Sequence, residues 1–231
     1  MPSVTDQQYE DAYDAWRASL QALVADTQRL ARWQERRFRH AHRIGKLLTE
    51  PCNGSPTTGP VVYGVFLPGA GLCYVGQTQE AERRLRDLPV GESHHLANTV
   101  PPELWERVVV VRWPDLLDKV SAEEQATAAT LGLVVCGLAL EHRLQVATDP
   151  PLNSRRRNAD GDWRPRNHAL SRSRGAVHAH ALPSLWQSTW ELWQELSTLE
   201  PPSDGRPLLT TEAGRVVFPA STVEGPSAAA T

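Results

Sequence analysis

Val61-Val62-Tyr63-Gly64-Val65-Phe66-Leu67-Pro68-Gly69-Ala70-Gly71-Leu72-Cys73-Tyr74-Val75-Gly76-Gln77-Thr78 is the stretch on which the reading of this chain turns. Two apolar runs, 61–67 and 72–76, flank a Pro- and Gly-rich tetrapeptide, which predicts a β-hairpin. Tyr63 and Tyr74 then lie on adjacent antiparallel strands. Whether they share a face depends on register, which the Pro68-Gly69 turn leaves open. Thr78 is placed to cap a short helix over 79–88, with Glu80 and Glu82 near its positive end and Arg83 and Arg84 on its surface.

Upstream, Tyr9, Tyr13, Trp16, Leu20, Leu23, Leu30 and Trp33 recur at helical spacing, and no Gly or Pro intervenes between residues 5 and 44. This predicts either one very long helix or two helices broken near Asp26-Thr27, with Thr27 capping the second. Residues 49–60 read as a linker. Downstream, 108–113 is Val-rich and reads as a strand. Residues 121–147 read as a helix, in one piece or divided near Gly132, and stopped by Asp149-Pro150-Pro151. Glu141 sits in that helix among Val134, Leu138 and Leu144, where an unpartnered carboxylate is costly. Asn153 follows. Residues 154–175 show no periodicity and read as a loop, 182–199 as an amphipathic helix, and 201–231 as a flexible tail. The expected organisation is thus a helical arm (1–50), a central core (59–155), a basic loop with a C-terminal helix (156–200), and a tail.

The net charge is −3 over 231 residues, which at first argues against an anionic partner. The distribution says otherwise. Residues 27–47 carry +6 and residues 155–174 carry +5, in a chain otherwise acidic. Of the 24 cations 22 are Arg, the residue suited to bidentate phosphate contact, although GC-rich coding gives the same bias. Arg36, Arg39, Arg43 and Lys46 in the first block, and Arg155, Arg156, Arg157, Arg164 and Arg166 in the second, are the candidate nucleic-acid-binding residues. Three scattered cysteines form no disulfide framework and no CxxC pair. No apolar run is long enough to cross a membrane and no signal peptide is readable, so the expected location is the cytoplasm.

Taken together, Tyr63, the Tyr74-Val75-Gly76 triplet, Arg84 ten residues after Tyr74, Glu141 in a helix and the following Pro151-Leu152-Asn153 resemble the GIY-YIG nuclease domain over about residues 59–155. The first triplet, Val61-Val62-Tyr63, lacks the family's Gly and Ile, and Leu88 stands where homing-type members often have His; His94 and His95 are the nearest replacements.

The resemblance implies an α+β fold (α/β in the broad sense): a small central antiparallel or mixed sheet flanked by helices, plus the N-terminal arm and C-terminal helix. It implies a metal-dependent DNA endonuclease that hydrolyses phosphodiester bonds. Glu141 would hold Mg²⁺ or Mn²⁺, Arg84 would contact the phosphate, and Tyr63 would be the general base, its phenol lowered by a neighbouring cation or a metal-bound water. Tyr74 would orient the water, His95 would share proton transfer, and Asn153 would anchor the helix or hairpin. The chain is most similar to the small stand-alone restriction-type members, for which double-strand cleavage implies a homodimer through the N-terminal or the Trp-rich helix. The alternatives are a non-catalytic nucleic-acid-binding protein on the same fold, a structure-specific repair nuclease, and a helical scaffold with a vestigial core.

Overall fold

The computed structural model describes residues 5–51, 56–91, 95–157 and 163–222. The chain divides into two units, Met1–Ala41 and His42–Thr231. The first holds α1 (Asp6–Val24) and the opening turns of α2 (Thr27–Thr49), so the predicted break at Asp26-Thr27 is present. Its cap is Asp26 rather than Thr27, because Asp26 Oδ1 accepts from the backbone N–H of Gln28 and Arg29 at 2.9 and 3.2 Å.

The second unit is a mixed α+β body built on a five-stranded, wholly antiparallel sheet in the order β2-β1-β3-β7-β6. The predicted hairpin supplies β1 (Val61–Leu67) and β2 (Gly71–Thr78), and the Val-rich run supplies β3 (Arg107–Val111). Between β2 and β3 lie α3 (Ala81–Asp87) and the short α4 (Leu96–Thr99). Thr78 does not cap α3; its hydroxyl accepts from Glu80 N–H one step too early and forms a turn instead.

Helix α5 (Ala122–Thr148) is kinked at Gly132, where φ 77° and ψ 157° break the helical path. By length and composition α5 is apolar enough to cross a membrane. Here Val135, Cys136, Ala139, Leu140 and Leu144 are instead buried in the protein core.

Beyond α5, the stretch read as a loop folds into a small separate hairpin, β4 (Arg155–Arg157) with β5 (Trp163–Pro165), followed by α6 (Arg174–His178). Helix α7 (Pro183–Thr198) comes next. Glu124 of α5, itself buried, caps it by accepting from Ser184 and Leu185 N–H at 3.1 and 2.7 Å.

The stretch 201–231 is not simply a tail. It carries β6 (Leu208–Thr210) and β7 (Gly214–Val217), and β7 pairs with β3. The reason is burial: Val216, Val217 and Phe218 are almost wholly enclosed, and the N–H and C=O groups of β3 need a partner on that side. The last nine residues, 223–231, lie outside the described residues.

Both faces of the sheet are covered, which is why the strands read as near-continuous apolar runs. Val62, Val75, Val109 and Val111 pack with α5 and α7 on one side. Val61, Val65, Val108 and Val110 pack with Ile44 and Leu48 of α2 and with Ala81 and Leu85 of α3 on the other. Of the α7 tryptophans, Trp193 is buried, and Trp186 and Trp190 stack and pack against the same core. Cys73 and Cys136 are buried free thiols.

Candidate active site

The register left open by the sequence is settled by the pairing of Tyr63 with Gly76 and of Val65 with Tyr74. Residues directly opposite project to the same side, and Gly76 and Tyr74 are two apart, so both tyrosines share one face. Their rings lie 6.1 Å apart between centroids, tilted by 39°. Gly76 permits this arrangement. A Cβ there would stand 2.7 Å from Tyr63 Oη and Cζ and 2.9 Å from Tyr74 Cε1, so both rings rest on its bare α-carbon.

β2 is an edge strand of the main sheet. Asn153 closes its free edge by imitating a neighbouring strand. Its Oδ1 accepts from Val75 N–H at 2.7 Å and its Nδ2 donates to Val75 C=O at 2.9 Å. Leu152 N–H donates to Cys73 C=O at 3.0 Å. Asn153 therefore fixes the strand that bears Tyr74, and is a positioning residue.

Arg84, on α3, and Glu141, on α5, complete the group. The charge of Arg84 acts on Tyr63, Tyr74 and Glu141 alike, which places all four in one electrostatic neighbourhood. The Tyr63 oxygen forms no bond of good hydrogen-bond geometry, yet the Arg84 guanidinium and the Tyr74 hydroxyl stand near enough to act on its ionisation.

Of the cations expected to lower the Tyr63 phenol, the chain's own Arg84 does not bring it below its ordinary value. Burial pushes it up, and the opposing pull of Arg84 does not prevail. Tyr74 is pushed up as well, by burial first and then by Tyr63 and Glu141.

Glu141 is half-buried, and Gln145 Nε2 donates to its Oε1 at 3.2 Å. Burial lifts its carboxyl to about 7 against the counter-pull of Arg166 and Arg84. Leu144 is buried beside it, but Val134, two residues after the Gly132 kink, is 45% exposed and does not share the buried stripe.

Among the described residues Glu141 has no ion-pair partner, and no group of three or more His, Cys, Asp or Glu side chains is clustered. A single hard carboxylate, poorly compensated by its surroundings, fits a divalent cation that completes its shell with water and substrate oxygens. Such a cation would also offset the burial penalty.

His95 does not join this set. It is exposed, its carbonyl caps the short α4 by accepting from Asn98 and Thr99 N–H, and the main influences on Tyr63, Tyr74 and Glu141 do not include it. Its position just before a helix start turns it to solvent. His94 lies outside the described residues.

The basic candidates are distributed as follows. Arg36 and Arg39 are exposed in the first unit, and Arg43 and Lys46 are exposed in the second. Arg155, Arg156 and Arg157 form β4, with Arg156 opposite Arg164. Arg164, Arg166, Asn167, Ser171 and Arg172 line a polar cleft of about 450 Å³.

Arg166 was foreseen as a phosphate contact, and its nearness to Glu141 was not. Sequence reasoning missed His142 and His180, and read His168 only as a possible contact to base edges. Burial lowers His142, and His168, Arg166 and His180 lower it further. Burial likewise lowers His168, helped by Arg166 and opposed by Asp149. His142 adjoins Glu141 in sequence, which was the one signal available.

Two phenols, a guanidinium and a lone carboxylate around one spot can bind an anion, hold a hard cation and order a water. Scans against protein-family models, curated proteins and solved structures return no match for this chain.

Proposed function

We propose that this chain is a metal-dependent DNA endonuclease that hydrolyses phosphodiester bonds, on a core of the GIY-YIG type and of restriction or defence character. The observation that carries the proposal is the convergence of Tyr63, Tyr74, Arg84 and Glu141, residues drawn from a hairpin, the following helix and a helix far along the chain. A buried tyrosine pair is common in cores. One that shares its surroundings with an Arg and with a carboxylate that has no ion-pair partner among the described residues is not a packing solution, because the carboxylate costs stability where it stands.

Arg84 neutralises charge that builds on the phosphate oxygens as the transition state forms. Glu141 would hold the divalent cation, Mg²⁺ or Mn²⁺. When bound, that cation supplies Lewis acidity toward the phosphate and acidifies water. Tyr63 and Tyr74 keep their protons at neutral pH in the free protein, so they orient the attacking water by hydrogen bonds. Tyr63 takes a proton only once ionised, which requires positive charge beyond that of Arg84 to outweigh its burial. Asn153 and Gly76 keep the two rings in place. The cleft around Arg164 and Arg166 takes up flanking phosphates, which makes binding fall steeply with salt.

A second reading, binding of nucleic acid without cleavage, draws on the raised Tyr63 phenol. The two separate in one assay. A labelled duplex is incubated with the protein, with Arg84→Ala and with Tyr63→Phe, in Mg²⁺. The endonuclease reading expects cleavage by the parent, with both variants slowed by about a hundredfold or more while still shifting DNA in a gel. Binding by the parent without cleavage, across duplex, branched and modified substrates, moves the assignment to the second reading.

A further inference from the structure

Helix α1 carries a repeat whose aromatic half is exposed and whose leucines, Leu20 and Leu23, are only partly covered. Tyr9, Tyr13, Trp16, Leu20 and Leu23 follow one another at steps of four, three, four and three, the spacing of a coiled-coil seam. Yet α1 buries no side chain: Tyr9 is 63%, Tyr13 46% and Trp16 55% exposed. Helices in proteins owe most of their stability to a packed apolar face, and a 19-residue helix with a bare aromatic face is waiting for one.

The charges next to the seam say what covers it. With Tyr9, Trp16 and Leu23 at heptad position d, and Tyr13 and Leu20 at a, Glu10 and Arg17 both fall at position e. The g positions hold Thr5, Ala12 and Ser19, none charged. Parallel coiled coils set g against e and would leave both charges unanswered. Antiparallel coiled coils set e against e. Glu10 and Arg17 make no ion pair among the described residues.

We propose that α1 is a self-association helix that pairs antiparallel, about a two-fold axis, with α1 of a second copy of this chain. In that register Tyr13 meets the partner's Trp16, and Tyr9 meets the partner's Leu20. Two-fold symmetry repeats each layer. Glu10 lies against the partner's Arg17, and Arg17 against the partner's Glu10, so one helix supplies both halves of each ion pair. Asp6, at the first helical residue, falls opposite the partner's Leu23 at the solvent-open ends. The inference is independent of the reaction at Glu141 and stands whether or not the chain cleaves DNA.

The test is sedimentation velocity on the full chain from about 1 to 100 µM, the range in which a short helix pair dissociates. The parent is expected to pass from monomer to dimer. Glu10→Arg alone and Arg17→Glu alone place like charges opposite each other twice per dimer, and each is expected to weaken association by about tenfold. The combined Glu10→Arg/Arg17→Glu chain restores complementarity and is expected to return to within about twofold of the parent. Trp16→Ala weakens it without touching charge. All three positions are exposed, and far-ultraviolet circular dichroism checks that each variant is folded. A parent that stays monomeric, a dimer indifferent to these variants, or a combined variant no better than the single reversals overturns the proposal.

Discussion

Replacing Glu141 by Gln removes a charge from a place where the protein does not compensate it, so the variant should be more stable than the parent at alkaline pH. The carboxyl stands at about 7 in the folded chain against an ordinary value of 4.5. Its folded-state pKa is raised, so the folded state holds the proton more tightly than the unfolded chain. That contribution is complete below about pH 4.5 and is lost as pH climbs through about 7. The span is about 2–3 kcal/mol at some 1.4 kcal/mol per pH unit, allowing for partial access of solvent. The substituted amide would keep an oxygen to accept from Gln145 Nε2 and would carry no charge at any pH.

Thermal and urea unfolding in EDTA, at about pH 5 and about pH 8.5, measure the effect. The two proteins should match closely at the lower pH. At the higher pH Glu141→Gln should melt about 5–10 °C above the parent. Millimolar Mg²⁺ should then raise the melting temperature of the parent and leave the variant unmoved, since only the parent offers a carboxylate. A variant destabilised equally at both pH values would refute the reasoning, because it would show that the ionised carboxylate is well accommodated.

Further outcomes follow from the same geometry. Gly76→Ala drives a methyl into both tyrosine rings, and is expected to cut cleavage by more than tenfold while the fold persists, as read by near-ultraviolet circular dichroism alongside single-turnover rates. Asn153→Ala removes both bonds to Val75 from a sheet edge, and should cost about 1–3 kcal/mol in urea unfolding and slow cleavage without abolishing metal-induced stabilisation. Glu124→Ala strips the cap from α7, and should cost about 2–4 kcal/mol of stability with no change in the pH profile of cleavage.

The hairpin, the Val-rich strand and the α5 kink were legible because each rests on local chemistry: alternation between apolar runs and Gly or Pro, β-branched residues in a row, one Gly within a helical pattern. The strand Gly214–Val217 was not, because four residues in a Pro-rich C-terminal stretch carry too little pattern, and pairing with β3 and β6 defines them. In the candidate site, the order of Tyr63, Tyr74, Arg84, Glu141 and Asn153 was visible along the chain. The shared face of the tyrosines was not, since it is set by a register that the turn residues leave free. Burial was equally hidden, and burial reverses the expected shift of the Tyr63 phenol. Arg166 is tied back beside the clamp at Asn153 by its N–H, which donates to Ser154 C=O at 2.6 Å, a pairing within a small hairpin that spacing does not reveal.

The measurement that bears most directly on the central claim is the fate of supercoiled plasmid DNA incubated with the protein and with Glu141→Ala, each in Mg²⁺ and in EDTA. The account predicts nicked or linear product from the parent in Mg²⁺ alone, none in EDTA, and none from Glu141→Ala although that variant still retards DNA. Cleavage that survives in Glu141→Ala, or an intact plasmid with the parent in Mg²⁺, would contradict it.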